Sequence, residues 1–167
     1  MSLIYNACNG VLIKGEHKDK QFEILFSDIK PYWQYATEED FEGGKAKIYD
    51  DYLVATLITA EGQGGLIFIW DLEQSKVVSC FEGDFCIDFA VSSKAIYSLH
   101  YISQWGLSSR FELRKSNIES GKQEDLFVEI PFDDSVYNGN MENVSMIFSA
   151  DKTLRITFEY NDYFIEL

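Results

Sequence analysis

Short apolar runs, separated by turn residues every five to ten positions or so, constrain this chain more than anything else in it. No segment keeps a helical period for long, so the runs read as strands of an antiparallel architecture. Between Ala46 and Phe81 there are four, at Ala46–Tyr49, Tyr52–Ile58, Leu66–Trp70 and Val77–Phe81. Four more follow at Phe85–Ala90, Ala95–His100, Phe111–Arg114 and Leu126–Ile130. The two sections match turn by turn: "YDD" with "VSSK", "EGQGG" with "ISQWGLSS", and "LEQSK" with "IESGK". Leu72 and Ile118 hold equivalent places 46 positions apart.

A third section, "NVSMIFSADKTLRITFEYNDYFIEL", repeats three strands of the unit, with "SADKT" as its first turn and Asn161-Asp162 as its second. A weaker first section consists of Leu3–Ala7, Val11–Lys14, Phe22–Phe26 and Tyr32–Tyr35. The expected fold is therefore one all-β domain over residues 1–167, with repeats at 3–36, 46–81, 85–130 and 143–167. A four-stranded unit of roughly 40–50 residues is the mark of a propeller blade. The expectation is a propeller-like array of three to four blades, with a β-sandwich or open barrel as the alternative.

Two stretches carry a family resemblance. "FSADKTLRI", Phe148 to Ile156, resembles the turn before the second strand of a WD40-like blade, and "FIWDLEQSKVV", Phe68 to Val78, resembles the end of its third strand with the Trp-Asp pair. The resemblance covers the chain from about residue 46 onward and implies a WD40-like fragment or small propeller, with fewer blades than an ordinary WD40 domain. No Gly-His pair precedes any unit, and Trp70-Asp71 finds no counterpart at Lys115-Ser116.

Composition supports β structure: aromatic residues make up 16%, with 13 Phe and 10 Tyr, and there are only two prolines, Pro31 and Pro131. No run approaches the roughly 20 apolar residues of a membrane helix. The beginning "MSLIYNACNGVLIK" lacks the pattern of a secretory leader, so a cytoplasmic location is expected. Cys8, Cys80 and Cys86 fit no metal spacing and read as thiols of a reducing compartment. The net charge of −14 has the wrong sign for nucleic acid or an anionic membrane, and it would steer a basic protein partner.

Catalytic patterns are missing from the sequence. "EGQGG" joins two strands and so reads as a hairpin, not a phosphate cradle. Thr37 and the acidic residues after it could cap a short helical turn before Gly43-Gly44. His17 lies in the charged turn "GEHKDK" and reads as solvated, while His100 ends an apolar strand and reads as half-buried. A triad of His100, Asp88 and a serine can be written, but no nucleophile-elbow pattern supports it. Adjacent acids such as Asp50-Asp51 point to opposite faces on a strand, or serve turns, so they do not form an acid–base pair. No metal, cofactor or catalytic residue is assigned.

What is left is a binding surface. Trp105, next to Gln104 in the longest hairpin loop, is an aromatic among polar residues, and the blade reading gathers it with Asp84, Asp133 and Asp134 on one face. An aromatic anchor with acidic neighbours suits a protein partner. The function expected is a non-enzymatic interaction module that neutralises or scaffolds a basic protein. The alternatives are a small-ligand, cation or hydrolytic site in a propeller channel, and a subunit that completes its sheet by homo-oligomerisation.

Overall fold

The computed structural model describes residues 4–5, 10–33, 41–59, 64–92, 94–102, 110–126, 130, 143–149, 153–159 and 161–167. The chain divides into two compact units, Met1–Asp84 and Phe85–Leu167. Both are built from antiparallel sheets, and none of the sheets closes into a barrel.

The first unit begins with β1 (Ile4–Tyr5), β2 (Val11–His17) and β3 (Lys20–Leu25), hydrogen-bonded in that order. One short helix, α1 (Phe26–Ile29), and a 3-10 turn over Lys30–Tyr32 follow. Next come β4 (Phe41–Gly43), β5 (Ala46–Tyr49), β6 (Tyr52–Thr59), β7 (Gly65–Asp71) and β8 (Lys76–Glu82). Strands β5 to β8 form a meander, and β4 pairs with the far end of β6 beyond β5. Register sets the core. Leu53 lies opposite Trp70, Ala55 opposite Phe68 and Leu57 opposite Leu66. That face packs with Leu12, Ile13, Ile24 and Ile29.

The second unit contains β9 (Cys86–Val91), β10 (Ala95–Ile102), β11 (Arg110–Asn117) and β12 (Gln123–Leu126), again a meander. A three-stranded sheet follows, of β13 (Val144–Phe148), β14 (Thr153–Phe158) and β15 (Asn161–Glu166). Leu99 faces Leu113 across one sheet, and Met146 faces Ile156 across the other. These residues share a core with Leu154 and Phe158. Between the two sheets the buried Asp88 carboxylate accepts the Met146 N–H at 2.7 Å.

The same turn devices recur. Asp71 Oδ1 accepts the N–H groups of Glu73 and Gln74 at 2.9 and 2.8 Å, closing the β7–β8 turn. Asn117 Oδ1 accepts the Ser120 N–H at 2.8 Å in the β11–β12 turn. The left-handed position is filled by Ser75 (φ 52°) in the first turn and by Gly121 (φ 68°) in the second. Leu72 N–H donates to Asp51 O, and Ile118 N–H donates to Lys94 O, so each turn is tied to the preceding hairpin in the same way. Ser92 and Ser149 also match, each hydroxyl donating to a backbone carbonyl across its turn, Ala95 O at 3.1 Å and Thr153 O at 3.0 Å.

Several expectations change. The counterpart of Trp70-Asp71 is Ser116-Asn117, one residue later than Lys115-Ser116, because Asn117 does the work of Asp71. Tyr32 does not start a strand: Asp28 accepts the Leu25 N–H at 2.9 Å to open α1, and Pro31 has no N–H to give a ladder. Residues 34–35 lie outside the described residues. The fourth strand of the second meander pairs through Gln123–Leu126 instead of beginning at Leu126. Asn161 and Asp162 belong to β15, opposite Phe158 and Thr157, so the hairpin turns before them, where Glu159 has φ 26°. The capped turn proposed after Thr37 lies outside the described residues.

Truncating Asp71 removes the acceptor that closes the turn through the Glu73 and Gln74 N–H groups. Asp71→Ala should lower stability by about 1–2 kcal/mol, the usual range for a lost cap. Asp71→Asn, which keeps the acceptor as Asn117 does, should cost less than half of that. Urea unfolding of the three proteins checks the ranking, and equal losses in both variants would contradict it.

Candidate functional site

Among the described residues, a concavity lies in the first unit, where three hairpin turns meet. It is a cleft of about 420 Å³ lined by residues that include His17, Lys18, Lys20, Asp51, Glu73 and Ser75. The turns are built from residues that accept positive φ: Lys18 at 49°, Asp19 at 61°, Asp50 at 50° and Ser75 at 52°. Asp and Asn tolerate this region better than most side chains, and a turn-forming Ser can hydrogen-bond locally.

Asp51 organises the cleft. Its Oδ1 lies 3.2 Å from His17 Nε2 and also accepts the Lys18 ammonium. Lys18 first, and His17 second, hold the Asp51 carboxyl below its usual range, and the carboxylate in turn holds the Lys18 ammonium above its own. His17 is thus a half-buried partner of Asp51, not the solvated residue expected of a charged turn. "GEHKDK" and "YDD" each read as an ordinary polar turn. Nothing local in either announces that the two meet, because their contact depends on packing between sheets.

The second histidine also differs. His100 is fully buried instead of half-buried, and its Nε2 lies 2.8 Å from Ser98 Oγ. Asp88 sits opposite Leu99 on β10, while Ser98 and His100 flank Leu99 and point to the other face. The serine–histidine pair and Asp88 therefore do not assemble a triad.

Of the surface residues singled out in the sequence, Gln104, Trp105, Asp133 and Asp134 lie outside the described residues. Asp84 is described, and its carboxylate accepts the Gly65 N–H at 2.5 Å. The Gly83 N–H donates to Gly65 O at 2.9 Å, and a Cβ on Gly65 would lie 2.4 Å from Gly83 O. Asp84 thus braces a close backbone approach at the end of the β7–β8 ladder.

Cys80 and Cys86 are free thiols, and no set of three or more metal-ligating side chains converges among the described residues. Burial pushes the Cys80 thiol up to about 12. No helix among the described residues is long and apolar enough to cross a membrane. No protein-family model, curated protein or solved structure matches the chain.

Two outcomes follow. The Asp51 carboxyl should titrate below the ordinary value of about 3.9 and rise in Lys18→Ala, read by carboxyl-carbon NMR. Because the folded value is the depressed one, the pair stabilises the fold above about pH 4 and loses that effect as the pH falls through the folded value. The stability gap between wild type and Lys18→Ala should therefore close in acid, and a gap that widens there would be inconsistent. In a Cys8→Ser, Cys86→Ser background, Cys80 should react with a disulfide reagent at pH 8 far more slowly than the same thiol in urea, because so little thiolate is present. Equal rates would rule out a raised value.

Proposed function

We propose that this chain is a non-enzymatic protein-binding module that takes a basic protein partner. The observation that carries the reading is the distribution of charge. Acidic residues outnumber basic ones by 28 to 14. Among the described residues, much of the positive charge is already spent internally. Lys14 pairs with Glu23, Lys18 with Asp51, Arg110 and Arg114 with Glu112, Lys115 with Glu124, and Arg155 with Asp162. Exposed Asp19, Glu119, Glu159 and Glu166 take part in none of these ion pairs. Such a surplus steers a cationic surface towards the molecule and repels polyanions.

The repeated four-stranded meander and its matching turns support reading the sections as propeller-like, WD40-like blades, scaffolds well suited to protein binding. Free Cys80 and Cys86 support a reducing compartment, the cytoplasm. Gln104, Trp105, Asp133 and Asp134 stay the proposed contact residues from the sequence, while the Asp84 carboxylate is committed to the Gly65 N–H.

A second reading, small-ligand binding, draws on the cleft around His17 and Asp51. A thermal-shift screen of metals, sugars and nucleotides separates it from the first. A ligand at a hundred times its Kd would add about 2.7 kcal/mol to stability, and no shift would leave the cleft without a ligand role.

Affinity capture from native extract tests the leading reading. A stoichiometric basic protein should co-purify at low salt and leave at about 0.5 M, where screening shortens to a few ångströms. Absence of a stoichiometric partner, or retention indifferent to salt, would overturn it.

A further inference from the structure

Strand β15 is the outermost strand of its sheet. It pairs with β14 in unbroken register from Asn161–Phe158 to Glu166–Thr153, and among the described residues it pairs with nothing else. Every second residue of such a strand directs its N–H and C=O away from the sheet. Edges of this kind are usually blunted by lysine, proline, a bulge or a covering segment. "NDYFIE" contains neither lysine nor proline, and its ladder has no bulge.

Its two faces differ chemically. Tyr163 and Ile165 turn inward onto the core of the second unit. Phe164 turns outward, 65% exposed, and Asp162 and Glu166 are exposed with it. Register extends this face into a row: Ile147 lies opposite Arg155, and Arg155 opposite Phe164. Ile147 is 52% exposed, and the Arg155 guanidinium lies 6.0 Å from the Phe164 ring centre while bonding Asp162 at 2.6 Å. The one cation of the row is thus already engaged with Asp162, and Glu166, next but one to Phe164 on the same face, has no ion-pair partner among the described residues.

We propose that β15 docks an extended segment of a partner protein by strand addition, and that this segment alternates basic and apolar residues. Its backbone would take up the outward N–H and C=O groups. Its basic side chains would lie beside Glu166, next to Phe164, and its apolar side chains would continue the inner face beside Tyr163 and Ile165. A second copy of this chain fits less well, because two β15 strands would bring Asp162 and Glu166 of both together, with a charge of −14 on each molecule. The inference rests on the basic-partner reading above and names its docking site.

The test uses the full chain and a fluorescent peptide of about eight residues that alternates lysine and valine, read by anisotropy. Two control peptides accompany it: one with glutamate for lysine, and one N-methylated at every second amide. The lysine–valine peptide should bind, and N-methylation or glutamate should weaken it by at least about tenfold. Phe164→Lys and Glu166→Lys, both exposed and expected to leave the circular dichroism unchanged, should each weaken it comparably. Equal binding of the N-methylated peptide, or binding unchanged in both variants, would overturn strand addition and leave the acidic-module reading standing. Failure of the peptide and of polylysine alike would overturn both. A dimer in sedimentation that Phe164→Lys dissociates would assign the edge to a second copy and overturn the proposal.

Discussion

Pairing register is the constraint on which everything buried in this molecule depends. In β14 the side chains alternate strictly, with Leu154, Ile156 and Phe158 buried and Arg155 and Thr157 at the outer face. A slip of one residue against β13 would drive the arginine into the core and expose the phenylalanine. The short polar turns are what forbid the slip. Asp71, Asn117, Ser92 and Ser149 each satisfy turn backbone with a side chain, so each hairpin closes with one count of residues and no other. Buried aromatic and aliphatic side chains supply most of the stabilisation, and the caps decide which arrangement receives it.

The acidic residues then fall into two groups. Asp71 and Asp88 are buried and each accepts backbone N–H groups, and Asp84 does the same where two glycine backbones nearly touch. Breaking the Asp88 contact would leave the buried Met146 N–H unpaired, at about 1–3 kcal/mol. These carboxylates belong to the fold. The exposed ones do not, and they give the molecule its surplus negative surface. Only the second group bears on a partner.

Much of the strand pattern was legible because apolar runs and turn residues alternate so regularly. Ala46–Tyr49 agrees residue for residue, and the other runs from Tyr52 to Arg114 lie within observed strands or overlap them closely. The errors share a cause. Tyr32 looked like a strand residue by its aromatic character, yet Asp28 and Pro31 impose helical turns around it. Asn161-Asp162 looked like a turn by composition, yet Asp162 is drawn into β15, where it pairs with Arg155 and Thr157 across the strand. In each case side-chain hydrogen bonding or backbone chemistry outweighed local propensity. The Asp51 cluster was illegible for a different reason: His17 and Asp51 lie 34 residues apart, and only packing within the first unit brings them together.

Cross-strand nuclear Overhauser contacts across the β7–β8 and β11–β12 hairpins test the repeated register most directly. Contacts should pair Asp71 with Lys76 and Ser116 with Gln123, continuing to Leu113 with Leu126. Contacts displaced by one residue in either hairpin, or a β12 that begins pairing only at Leu126, would contradict that register.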